Sequence, residues 1–249
     1  VIHCETPSGT LNPIKEIGKV CRKSNAIFIS DSVSSIAGTT VKTEEWDIDI
    51  HLGASQKCIS APPGIAFMSL SDKALEVINT RESIPTFYSD LSIWTKSWIA
   101  NRKMPFTHSI SNLYSFREAV DLIHEEGLDN VIKRHQKISQ AMIAAVESIG
   151  LEIFPKTKDI VSPTITALKT PEGIDSNKLV DLLWRKYGVL IAGAWGPEIS
   201  GKVLRLGNMG YGANPHFAVI ALAALEKALQ ELGFKIKNDN IVGTFMEKI

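Results

Sequence analysis

Cysteine is scarce, with three in 249 residues. Cys4, Cys21 and Cys58 are odd in number and lack metal-ligand spacing, which argues against both a disulfide framework and structural zinc. The six histidines include no H-x-x-x-H pair, so no metal centre is expected. Neither sign of charge is in excess: Lys+Arg and Asp+Glu are 27 each. Such a chain offers no global attraction to nucleic acid, to an anionic membrane or to acidic partners. Long apolar runs are also missing. The longest clean one, residues 217–225, falls well short of the roughly 20 residues a membrane helix needs. There is no signal-peptide pattern, no internal repeat and no low-complexity segment. These absences leave a soluble protein, expected in a reducing cytoplasm. The opening Val1-Ile2-His3-Cys4-Glu5 lacks an initiator Met and reads like the middle of a β-strand, so the chain is expected to be N-terminally incomplete.

What is present alternates strands with helices. After the turn-formers Thr6-Pro7-Ser8-Gly9, Asn12 and Pro13 open a helix with Ile14, Ile17 and Val20 inward. Residues 26–29 form an apolar run suited to a buried parallel strand, and Asp31 lies at its carboxyl end. Ile48, Ile50 and Leu52 alternate with polar residues as in a half-buried strand. Residues 64–70 supply another strand, and Ser71 caps the helix after it. This order predicts an open α/β sheet, whose ligands gather beyond the carboxyl ends of the strands. Two long helices follow. One has Ile110, Leu113, Phe116, Val120 and Ile123 inward and ends at Gly127. The other has Val131, His135, Ile138, Met142, Ala145 and Ile149 inward. Beyond them come strands at 151–154, 164–168, 189–191 and 203–206, a helix capped by Asp175 and stopped by Gly188, and a final amphipathic helix over 215–232. A domain boundary is placed near Gly127, giving units of 1–126 and 127–249.

Three residues carry chemistry in this frame. Lys57 follows a Gly53-Ala54-Ser55-Gln56 turn instead of lying on a solvated helix face, and an amine nucleophile must be held and partly desolvated. Asp31 could hold a pyridinium nitrogen protonated, so that the ring accepts electrons from a carbanion. Arg205 sits inside the apolar run Val203-Leu204-Arg205-Leu206. A guanidinium there calls for an anion, either a substrate carboxylate or a structural carboxylate of the chain. The Thr6 turn could offer hydroxyl and amide donors to a cofactor, or be a plain turn. His135, on an apolar helix face, reads as a satisfied core histidine. The Gly207-Asn208-Met209-Gly210-Tyr211-Gly212 stretch does not open a dinucleotide motif.

Four ordered stretches resemble the class V, fold-type I aminotransferases that use pyridoxal 5′-phosphate (PLP), and most of all their alanine–glyoxylate / serine–pyruvate branch. They are His3-Cys4-Glu5-Thr6-Pro7-Ser8-Gly9, Asp31-Ser32-Val33-Ser34-Ser35, Gly53-Ala54-Ser55-Gln56-Lys57 with Ala61-Pro62-Pro63-Gly64, and Gly201-Lys202-Val203-Leu204-Arg205-Leu206-Gly207. The resemblance implies an α/β fold. Residues 1–126 would be the C-terminal part of a mainly parallel-sheet PLP-transferase large domain, and 127–249 a smaller α+β domain. Lys57 would be the Schiff-base lysine and Asp31 the partner of the pyridine nitrogen. Thr6 would bond the cofactor near its ring hydroxyl, Val33 would pack on the ring, and Gln56 would reach the phosphate. Arg205 would hold the substrate carboxylate. Thr107 matches a position that contacts the phosphate in the neighbouring subunit of a homodimer; a nearby family tyrosine with that task is Met104 here.

The implied reaction is transamination between alanine or serine and glyoxylate or pyruvate. Aminoethylphosphonate–pyruvate and ureidoglycine–glyoxylate transamination are the rival chemistries. A truncated, non-catalytic assembly partner is the rival of another class. A cysteine desulfurase is excluded, because no Cys follows Cys58. Family members also carry an N-terminal portion, ahead of the strand that opens this chain, which supplies a phosphate-gripping loop and a ring-stacking aromatic.

Overall fold

The computed structural model describes residues 1–249. β1 (Cys4–Glu5) and β2 (Thr10–Leu11) make a small antiparallel hairpin whose turn carries Thr6 and Ser8. α1 (Ile14–Ser24) begins after Pro13, not under an Asn12 cap; the Asn12 amide instead donates to Ile2 O at 2.8 Å. Val20 is exposed and Gly18 is buried in its stead. A side chain at Gly18 would overlap the Trp46 carbonyl, so the helix turns its backbone to its neighbour.

β3 (Ile29–Asp31), β4 (Ile50–Ala54) and β5 (Ala66–Leu70) form a sheet in that order. β3 and β4 pair in parallel, with Asp31 opposite Leu52, and Ile2 bridges Asp31 in parallel on the far side. β5 returns antiparallel to β4. A loop without a crossover helix joins these two strands, and such a link permits only antiparallel pairing. Two burial expectations reverse. Ile29 is exposed between buried Phe28 and Ser30, and His51 on β4 is buried while Ile50 and Leu52 are only half-buried. Ile48, by contrast, is buried as the alternation predicts, so the reversal begins with β4 itself.

α2 (Asp72–Thr80) is capped by Ser71, whose Oγ accepts from Ala74 N–H at 3.1 Å. α3 (Leu91–Trp94) runs on into a π-helical turn, Thr95–Ile99. α4 (Ile110–Glu126) packs Phe116, Val120 and Ile123 against Cys58, Ile59 and Ala61, while Ile110 is exposed. α5 (Leu128–Ser148) buries Val131, His135, Ile138, Met142 and Ala145, the stripe its periodicity predicts.

A second sheet, all antiparallel, follows in the order β6 (Ile165–Lys169), β8 (Val203–Gly207), β7 (Ala192–Gly193). α6 (Ser176–Tyr187) lies between β6 and β7 in the chain; Asp175 caps it and Gly188 ends it in a left-handed conformation. The strand expected at 189–191 lies just beyond, and Leu190 is exposed. The strand expected at 151–154 is reduced to a bridge between Ile153 and Leu168. α7 (Pro215–Glu231) starts where expected, and α8 (Ile241–Met246), not foreseen, buries Ile241 and Phe245 completely. The largest core, 22 buried apolar residues between Ile138 and Phe245, lies in this half. No helix is long and apolar enough to cross a membrane.

Candidate active site

The parallel β3–β4 pair sets the geometry. Asp31 ends β3, and Lys57 follows β4 after the Ser55-Gln56 turn, so both emerge at the carboxyl edge of the sheet. Asp31 Oδ1 accepts from Val33 N–H at 3.0 Å, and its other carboxylate oxygen bonds nothing in the chain. Val33 is half-buried. Ser55 pins the lysine turn: its Oγ donates to Pro62 O at 2.7 Å and accepts from Ile65 N–H at 3.3 Å. Lys57 is half-buried beside an exposed Gln56. Its amine is in none of the ion pairs of the chain.

Cys58 is buried beside Lys57, and burial pushes its thiol up to about 12, so it stays protonated and inert as a nucleophile at neutral pH. Burial likewise raises the Cys4 thiol. The Lys57 charge acts in the opposite, minor sense on both thiols.

Arg205, on β8, reaches the Thr6 turn from the second half. Its Nε and Nη2 donate to Gly193 O at 3.0 and 2.6 Å, and Nη1 donates to Thr6 O at 3.3 Å. The guanidinium also lies 4.4 Å from the centre of the Trp195 ring. No carboxylate of the chain pairs with it, so the alternative of a structural salt bridge is not realised. Burial lowers its pKa. Of its five N–H donors, one on Nη1 and one on Nη2 remain free for an anionic partner. Thr6 is half-buried, with its carbonyl tied to Arg205. Thr107 stands exposed ahead of α4 and bonds none of the others.

The two halves are stitched beneath these groups. Cys4 Sγ donates to Ser162 Oγ at 3.1 Å, and Thr164 Oγ1 donates to Ser34 O, in the Asp31 loop, at 2.8 Å. His135 is satisfied on both nitrogens: Nδ1 donates to Val131 O at 2.7 Å and Nε2 accepts from Gly210 N–H at 2.8 Å. Burial lowers its pKa, consistent with this neutral form. Sequence reasoning did not find Trp195, Ser162 or Thr164. None sits in a periodic or motif pattern, and each reaches the site only through pairing of distant strands.

An unpaired amine, a carboxylate with a free oxygen and a guanidinium with free N–H donors are the groups needed to handle a small molecule that carries an aldehyde or amine beside a carboxylate. The fold that holds them is that of the aminotransferases. The structure of ureidoglycine–glyoxylate aminotransferase from Bacillus subtilis superposes with a TM-score of 0.92 at 33% identity, covering 99% of this chain and 64% of that one. The chain belongs to the family described as Aminotransferase class-V, which matches residues 1–236. An uncharacterized aminotransferase of Methanocaldococcus jannaschii is 39% identical over 97% of this chain and 62% of its own length. Pyridoxamine–pyruvate transaminase of Mesorhizobium japonicum is 37% identical over 95% of this chain and 60% of its own length. The chain thus spans about three fifths of the curated relatives it matches.

Proposed function

We propose that this chain is the catalytic portion of a PLP-dependent transaminase that moves nitrogen between a small amino acid, alanine or serine, and a 2-oxo acid, glyoxylate or pyruvate. In this reading residues 1–126 are the remainder of the cofactor-binding domain and 127–249 the small domain. The observation that carries it is Lys57: half-buried, in no ion pair, and at the same sheet edge as Asp31. The residues present fit the cofactor. Lys57 would hold its aldehyde carbon, Asp31 its ring nitrogen through the free oxygen, Val33 its ring face, Thr6 the neighbourhood of its hydroxyl and Gln56 its phosphate. Thr107, exposed and unpaired, suits the phosphate of a neighbouring subunit in a homodimer.

Bound PLP supplies a carbonyl that takes up nitrogen and a ring that accepts electrons. The work of the chain is placement and proton transfer. Arg205 grips the α-carboxylate with its two free N–H groups, which fixes the Cα–H bond relative to Lys57. With the donor in place, the Lys57 Nζ would take the α-proton as general base and return it as general acid. Asp31 would keep the ring nitrogen protonated, and the buried, protonated Cys58 adds no competing nucleophile.

The test is a panel of amino donors offered to the full-length protein with PLP: alanine, serine, ureidoglycine, aminoethylphosphonate and pyridoxamine, with glyoxylate or pyruvate as acceptor. Single-turnover absorbance changes with alanine or serine, absent in Lys57→Ala, support the reading. A cofactor-binding full-length protein that turns over only aminoethylphosphonate, ureidoglycine or pyridoxamine replaces the substrate assignment. One that never binds PLP overturns the function and leaves the assembly-partner reading.

A further inference from the structure

We infer that the Gly210 turn is a clasp that positions Lys57, and that His135 is a positioning residue acting through it. The inference deepens the proposed function and rests on its reading of Lys57 as the reacting amine. Gly210 has φ near +57° and presses its backbone on the lysine turn. A Cβ there would overlap Ser60 Oγ and lie 2.8 Å from Cys58 O and 3.1 Å from Lys57 O. Only glycine combines this left-handed backbone with so close an approach. The contact is also bonded: Tyr211 N–H donates to Ser60 Oγ at 2.7 Å, and Ser60 N–H donates to Lys57 O at 2.9 Å. The hydroxyl that receives the clasp therefore belongs to the residue that closes the turn bearing Lys57.

The other side of Gly210 is held by α5. His135 Nε2 accepts its N–H at 2.8 Å. Arg134 Nη1 donates to Gly210 O at 2.8 Å and to Ala213 O at 2.9 Å. Arg134 is in turn fixed by both oxygens of Glu126, at 2.7 and 2.9 Å. Both backbone groups of Gly210 are thus occupied, and the ring that binds one of them is fully buried. The next turns of α5, Ile138 and Met142, enter the largest core of the chain. The turn is consequently anchored to the helix that feeds the largest core of the chain.

Gly210 follows β8, the strand that carries Arg205. One short stretch therefore sets both the guanidinium that would take a substrate carboxylate and the clasp that would set the amine. A shift of α5 would move both ends of the substrate site together. Apart from the clasp, the Lys57 turn is held by the Ser55 hydrogen bonds and by the packing of Cys58, Ile59 and Ala61 against α4.

The experiment compares Ser60→Ala, His135→Leu and His135→Gln in the full-length protein. In the cofactor-free form, the acylation rate of the Lys57 amine by a small activated ester is read by peptide mass spectrometry, with exposed Lys15 as internal reference. Ser60→Ala should melt like the parent yet change the Lys57 rate severalfold, with Lys15 unchanged. His135→Leu should change it more, and His135→Gln, whose carbonyl can accept the Gly210 N–H, should recover part of the parental rate. In the loaded enzyme the same variants should lower kcat more than they raise KM. If His135→Leu does not fold, Ser60→Ala decides. Parental Lys57 rates in folded Ser60→Ala and His135→Leu overturn the clasp. If hydride trapping finds no cofactor on Lys57, the proposed function fails, while the acylation comparison still decides whether the clasp exists.

Discussion

Between Ile138 and Phe245 the chain buries 22 apolar residues in one cluster, whereas the half that carries Asp31 and Lys57 divides its own burial among clusters of five and three. A further five-residue cluster straddles both, joining Cys4 to Ile165, Ala167, Ala194 and Val203. The first half also buries polar groups, among them His3, Ser30, Ser32, Ser35, Asp49 and His51. The contrast teaches where the order of the site comes from. Asp31 and Lys57 stand on the half with the smaller clusters, and the half with the large core braces them: Thr164 under the Asp31 loop, Gly210 against the Lys57 turn, Arg205 on the Thr6 turn.

The largest expected effect breaks the contrast at its strong end. Phe245→Ala, fully buried in the large core, should cost about 3–5 kcal/mol in denaturant unfolding. Phe28→Ala removes the same atoms from the three-residue cluster and should cost less, because a small cluster at the margin can collapse around the gap. Equal costs would remove the distinction between the halves.

Acid probes the polar burial of the first half. Desolvation, with a smaller contribution from His51, pushes His3 down to about 4. Between 6.5 and about 4 the unfolded chain takes up a proton that the folded chain does not. Stability should therefore fall as pH drops through that window, flatten below it, and owe nothing to His3 above it. The loss amounts to about 3 kcal/mol. Burial lowers His51 in the same direction. His3→Gln should flatten the slope in urea titrations at stepped pH; an unchanged slope assigns it elsewhere.

Smaller effects sharpen the seam. Thr164→Val keeps shape but removes the donor to Ser34 O, at about 1–2 kcal/mol in unfolding free energy. A double-mutant cycle with Cys4→Ala should show coupling, because Cys4 and Thr164 both meet Ser162. Trp195→Ala exposes the guanidinium that its ring covers. If Arg205 holds the substrate carboxylate as proposed, this should weaken 2-oxo acid binding by about 0.5–1 kcal/mol, read as a raised KM, with unfolding nearly unchanged.

Much of this was legible in the residues. The stripe of α5, the caps Ser71 and Asp175, the stop at Gly188 and the sheet-edge placement of Asp31 and Lys57 follow from periodicity and local chemistry. What was not legible depends on distant pairing. Whether Ile50 or His51 faces inward on β4 is decided by what packs on the sheet, not by the alternation itself. α8 is too short for a periodic signal. The antiparallel return of β5 follows from a loop that sequence pattern alone does not measure. His135 was read correctly as a satisfied core histidine. That its partner is the turn pressed on Lys57 could be seen only once β8 and α5 were placed.

The central claim is that Lys57 is the amine through which this chain holds its cofactor. Treating the PLP-loaded full-length protein with borohydride and mapping its peptides tests it directly. The account predicts a single reduced pyridoxyl adduct on the peptide containing Lys57, lost in Lys57→Ala. An adduct on another lysine, or none in a protein that still turns over, would contradict it.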